Sequence, residues 1–165
     1  MAMKSAQELF LHELGDMYDA EQRIAKMLPE LAKESNQSQV RSAFEQHEQE
    51  TLHQIQNLDQ CFRALGTKPQ KAPCAAIAGL KQEHDSFLKE DPSKEILTMF
   101  DLGGAFKTEY YEIASYKGLI EKATLMGQQG CVNLLQENLR QEEAMAQKVE
   151  QLSRQLGQQM AKSMK

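Results

Sequence analysis

Four glutamates in this sequence occupy positions where a helical bundle expects leucine. One apolar stripe with alternating steps of three and four reads Phe10, Leu14, Met17, Glu21, Ile24, Leu28, Leu31, and every member but Glu21 is apolar. Another reads Leu102, Ala105, Glu109, Glu112, Tyr116, Leu119, Ala123, Met126. A third reads Leu135, Leu139, Glu142, Ala146, Val149, Leu152, Leu156. Between them, Val40, Phe44, His47, Thr51, Gln54, Leu58, Phe62, Leu65 is polar in its middle, with Glu50 on its flank. A buried, unpaired carboxylate costs several kcal/mol, so a cluster of them repels itself or gathers cations. Two divalent ions bridged by glutamates would supply that charge. An oxygen-rich set with an imidazole suits iron or manganese. The expected metal residues are Glu21, His47, Glu50, Glu109, Glu112 and Glu142, and no residue is assigned a catalytic role.

The segment Glu50-Thr51-Leu52-His53 also matches the Glu-x-x-His pair of di-metal bundles. At 100° per residue, however, His53 falls roughly 160° from the centre of its stripe, whereas His47 falls within about 40°. His47 is therefore the inward imidazole. His12, His53 and His84 are expected at the surface. Tyr18, Tyr110, Tyr111 and Tyr116 are expected to pack rather than to act in redox chemistry.

These residues must be held by long helices. Ser5 and Glu8 form a capping box that opens the first, which runs to about Ser35 with Pro29 as a kink or small break. A second runs from about Ser38 to Leu65 and stops at Gly66. Residues 74–89 form a short helix. Asp91-Pro92 then supplies an N-cap and a first-turn proline for a third long helix that ends at Gly127. The last begins near Gly130 and fades after Leu156, leaving a frayed tail over about 157–165. Measured from turns at residues 36 and 128, the glutamates lie roughly 20–28 Å along their helices, so one layer of carboxylates can meet at mid-length. Two hairpins joined by a long crossover make an all-α, ferritin-like four-helix bundle, a single domain over 1–165 with a short fifth helix in the crossover.

Composition agrees. The 165 residues are 41% apolar and 26% charged, with no Trp, 19 Leu and 20 Gln, but only 14 Val, Ile and Thr together. That mixture favours helix and argues against barrels, sandwiches and nucleotide-binding α/β folds. The net charge of −5, with no concentrated basic face, argues against nucleic-acid binding. No run of about 18 apolar residues is present to span a membrane, and the N-terminus lacks a signal-peptide core. Cys61, Cys74 and Cys131 read as reduced thiols packed as small hydrophobes, and the chain as cytoplasmic.

The stretches 8–33 (ELFLHELGDMYDAEQRIAKMLPELAK), 43–51 (AFEQHEQET), 107–119 (KTEYYEIASYKGL) and 134–143 (LLQENLRQEE) resemble the YciE/YciF-like, ferritin-like bacterial proteins. The similarity covers about residues 5–156, and YDAE and EYYEIASY are its most distinctive segments. The resemblance implies a five-helix, all-α subunit forming a homodimer, a bundle related to rubrerythrin, and a link to bacterial stress responses. It does not deliver a reaction. Its carboxylate positions fall on Glu21, Glu109, Glu112 and Glu142, with His47 and Glu50 in the second helix. Three positions depart from it: Tyr110 and Gln54, where His is frequent, and Ala146, where an acid is usual. The absence of a CxxC pair excludes a rubrerythrin-type one-iron domain. The sequence thus points to a di-iron or di-manganese stress protein that reacts Fe²⁺ with O₂ or peroxide. A non-enzymatic dimeric scaffold with a vestigial site is the rival, and a di-metal oxygenase is a third possibility.

Overall fold

The computed structural model describes residues 3–163 as five α-helices, with no strand among them. They are α1 (Ala6–Glu34), α2 (Ser38–Ala64), α3 (Ala75–Leu88), α4 (Lys94–Leu125) and α5 (Gln129–Ser163). The expected capping box opens α1: Ser5 Oγ accepts the Glu8 N–H at 3.1 Å, and Glu8 Oε2 accepts the Ser5 N–H at 2.9 Å. Pro29 does not break α1, which is continuous through it. Gly66 (φ 71°) and Gly127 (φ 68°) end α2 and α4 in the left-handed region that only glycine enters freely.

Two boundaries differ from expectation. The N-cap of α4 is Ser93, whose hydroxyl accepts the Ile96 N–H, and not Asp91. An N-cap needs extended backbone, which Ser93 has, whereas Asp91 sits at φ 52°. At the other end, α5 continues past Leu156 to Ser163. Leu156 is buried there and Met160 packs on the core one turn further.

α1 packs chiefly on α2 and α4 chiefly on α5, and the two hairpins join through α2–α5 and α1–α4. The turns cap opposite ends: Asn36 meets Thr98 near the start of α4, and Cys61 meets Cys131 near the start of α5. This is the one-crossover ferritin-like topology. All three cysteines are free and buried. The crossover lies on α1 at Gly15, where a Cβ would come within 2.9 Å of the Gln70 carbonyl oxygen. One turn on, Asp19 accepts the Cys74 N–H at 2.9 Å. α3 then docks on α1 and α4 through Ile77, and Phe87 stacks on Phe100 with ring centroids 3.9 Å apart.

The core has three storeys. One apolar end holds Leu28, Leu31, Phe44, Leu102 and Leu152, and the other holds Phe10, Leu14, Leu58, Phe62 and Leu135. Between them the inward positions are largely polar, with Glu21, His47, Thr51, Gln54, Glu109, Glu112, Tyr116, Asn138 and Glu142 all buried.

Candidate metal centre

The middle storey is set by helix periodicity. Glu109 and Glu112 are one turn apart on α4 and point the same way. Glu142 faces them from α5 and His47 from α2. One ligand atom from each of these four side chains lies within 4.8 Å of the other three. His47 Nε2 is 3.4 Å from Glu109 Oε1 and 3.5 Å from Glu142 Oε2. Its other nitrogen, Nδ1, is 3.2 Å from Glu50 Oε2. Glu50 is only half-buried and is also held by the Gln46 amide at 2.9 Å. It therefore orients His47 from behind and does not face the cluster. Glu21 enters from α1, where the Tyr116 hydroxyl donates to its Oε1.

His47 is the inward imidazole, as the helical wheel requires. His53 is exposed and pairs with Glu137 at 3.0 Å. His12 is at the surface as expected, but His84 is buried, because α3 turns it into the α1–α4 groove. Of the tyrosines, Tyr18 packs edge-on against Phe62, and Tyr111 donates to Asp16 at 2.6 Å. Tyr110 does not pack inward. It is 54% exposed, one residue off the buried Glu109 on the outer side of α4.

Tyr116 has a larger role than filling space. Asn57 Nδ2 donates to Asn138 Oδ1 at 2.8 Å, Asn138 Nδ2 donates to the Tyr116 oxygen at 3.0 Å, and Tyr116 donates to Glu21. This relay crosses all four long helices. The sequence reading missed Asn138, because the α5 stripe can be drawn through Leu139 instead. Leu139 is only partly buried, whereas Asn138 is fully so. A three-residue step from Leu135 would have found it.

The electrostatics follow from burial. Burial pushes the Glu21 carboxyl up to about 7, with the Tyr116 hydrogen bond and His47 opposing it. Burial, then the charges of Glu142, Glu21 and Glu109, hold Glu112 well above the usual carboxylate range. Burial, Glu21 and Glu109 do the same for Glu142. For His47 burial disfavours the imidazolium, but Glu109, Glu50 and Glu142 outweigh it and keep its pKa well above the ordinary value. The His47 hydrogen bond draws Glu50 down against its partial burial.

The cluster fits a cation. Glu21 Oε2, His47 Nε2, Glu109 Oε2, both oxygens of Glu112 and both of Glu142 are buried without a hydrogen-bond partner in the protein. Each such orphan costs about 1–3 kcal/mol. Native interiors hold only a few per hundred residues, so this many facing one another at one place call for positive charge. Carboxylates with a single nitrogen donor suit hard or borderline ions, Mn²⁺ and Fe²⁺ among them. Ala146, buried one turn beyond Glu142, offers no further ligand.

The bundle and this inward acidic layer define a ferritin-like helical protein. Its relatives give the particular family. The family DUF892, described as a domain of unknown function, matches residues 5–162, and the chain belongs to it. Protein YciF of Escherichia coli K12 is 32% identical over 145 residues, covering 87% of both chains. The crystal structure of the E. coli stress protein YciF superposes with a TM-score of 0.89 at 30% identity, over 94% of this chain and 99% of that one. YcfI from Rhodopseudomonas palustris superposes with a TM-score of 0.86 at 37% identity, over 89% and 94%.

Proposed function

We propose that the middle storey is a carboxylate-bridged di-metal centre for iron or manganese, and that the protein handles Fe²⁺ and its oxidants during stress. The observation that carries this reading is the set of unpartnered buried donor atoms on Glu21, His47, Glu109, Glu112 and Glu142. The name of the E. coli relative, a stress protein, supports the physiological setting.

When bound, two Fe²⁺ ions supply the two electrons that, with two protons, reduce peroxide to water. The chain's own groups do the rest. Glu109, Glu112 and Glu142 hold the ions and set their separation, and His47 contributes Nε2. Glu50 takes the Nδ1 hydrogen bond and fixes the tautomer that leaves Nε2 free. Tyr116, whose hydroxyl is held neutral by burial and by Glu21, keeps one oxygen of Glu21 engaged and turns the other to the cluster. The apolar storeys above and below exclude bulk water.

Anaerobic Fe²⁺ or Mn²⁺ titration followed by elemental analysis tests the reading. Binding above one equivalent, with a raised melting temperature that Glu112→Ala abolishes, is the expected result. Less than about half an equivalent would sink it. In that case the protein is a helical scaffold whose carboxylates serve only structure, a reading favoured by the small Ala146 on the inner face of α5. Assembly as a homodimer belongs to the same proposal, and light scattering in solution checks it.

A further inference from the structure

Away from the bundle centre, a second set of donors converges where α3 docks. Glu34 comes from the last turn of α1, His84 from α3 and Asp101 from the second turn of α4. His84 Nε2 lies 2.8 Å from Glu34 Oε2 and 3.5 Å from Asp101 Oδ1. One donor atom from each falls within 4.8 Å of the other two. Asp101 is only 2% exposed, and neither of its carboxylate oxygens has a hydrogen-bond partner. The cavity beside it is lined largely by apolar side chains, among them Leu28, Leu80 and Phe100.

A proton on His84 Nε2 can bond to Glu34, and that arrangement satisfies two of the three groups. It leaves Asp101 bare against an apolar wall, a costly place for an acid. A divalent ion in place of that proton engages all three at once. We propose that Glu34, His84 and Asp101 form a second, mononuclear divalent-cation site at the junction of α1, α3 and α4. One imidazole nitrogen and two carboxylates leave coordination positions for water. That donor set takes a borderline first-row ion such as Zn²⁺ or Fe²⁺. The other ring nitrogen has no hydrogen-bond partner, since Asp85 Oδ1, 3.5 Å away, is held by Lys81.

The position is suggestive in its own right. Asp101 and Glu109 lie on one face of α4, about 12 Å apart along its axis. A cavity of about 40 Å³, whose walls include His84, Asp101, Ala105 and Glu109, lies between them. The site nevertheless stands on its own three ligands and does not need the central cluster to be loaded.

The test uses Zn²⁺ alone and calorimetry on a Glu112→Ala/Glu142→Ala protein, in which the central cluster is disabled. One equivalent should still bind, and adding Asp101→Asn should weaken it at least tenfold. No residual binding, or residual binding indifferent to Asp101→Asn, overturns the site. If the double variant does not fold, the wild-type chain and Asp101→Asn alone are compared. A stoichiometry lower by one equivalent supports the site, and equal stoichiometry overturns it. The ¹⁵N resonance of His84 Nε2 gives a direct reading: it should move to a metal-bound value with Zn²⁺, and a ring that stays protonated at saturation overturns the proposal. Central binding is read separately through Glu112→Ala, so either site can fail alone.

Discussion

The polar storey of the bundle has two sides that obey opposite rules. On one side, Asn57, Asn138 and Tyr116 hand hydrogen bonds across the helices to Glu21, and the relay is closed. On the other, a few ångströms away, Glu112 and Glu142 have no hydrogen-bond partner at all. The same four helices build both, so poor packing is not the cause. The closed side fixes the register of the bundle with neutral groups. The open side holds acids and donor atoms that no other group of the protein satisfies, which is the mark of a place for a ligand.

Breaking the closed side should have the largest effect. Asn138→Ala strands the Asn57 amide, removes a donor to Tyr116 and leaves a small void. We expect a loss of about 3 kcal/mol in urea unfolding, with no rescue by divalent metal. An equal loss cured by Mn²⁺ would show that the two sides are not separate.

The pH dependence of the metal-free protein comes next. Glu21, Glu112, Glu142 and His47 all have folded pKa values raised above their unfolded ones. Their contribution is complete for the carboxylates below about pH 4.5 and for His47 below about pH 6.5, and it is lost as pH rises through the folded values. In EDTA, stability should therefore fall between about pH 5 and pH 8. Glu21 alone, raised to about 7, accounts for a change on the order of 3 kcal/mol. Saturating metal should flatten the profile and release protons on binding. A metal-free protein that gains stability over this window contradicts the assignment.

Glu112→Leu should work in the opposite direction from Asn138→Ala. Replacing an unpaired acid by an apolar side chain of similar size should stabilise the metal-free fold by about 1–3 kcal/mol while cancelling the metal-induced rise in melting temperature. The smallest expected effect is at Glu50. Glu50→Gln leaves the half-buried position filled but weakens the grip on His47 Nδ1. Metal affinity should fall about tenfold with stability nearly unchanged.

Much of this was legible from residue order. Glu21, Glu109, Glu112 and Glu142 declare themselves because each interrupts an otherwise apolar stripe, and similar distances from two turns put them near one level, while His47 is the imidazole on the inner face of a stripe polar in its middle. Glu50 was placed in the right helix but given too central a part, since its flank position turns it to the back of His47. Asn138 was hidden because α5 tolerates two neighbouring stripes. His84 was hidden for another reason: α3 has 14 residues and only two buried positions, so its inward face is chosen by docking and not by its own periodicity. Asp101 sits one residue before the Leu102 stripe begins, where nothing local distinguishes it from a solvated acid near a helix start. The extension of α5 depends on Met160, a single contact beyond a run of glutamines.

The way the crossover lies on the bundle has a kinetic consequence. Among the described residues α3 rests on α1 and α4 alone, and the strap leading to it is seated by Gly15, by the Asp19 hydrogen bond to the Cys74 N–H and by the buried Cys74 thiol against Tyr111. With fewer contacts than the four long helices, such a segment opens as a unit at lower free energy, so its amides should exchange with deuterium before those of α4. Each opening carries His84 away from Glu34 and Asp101 while Glu112 and Glu142 stay sealed. The molecule thus joins a slow interior to a fast flap.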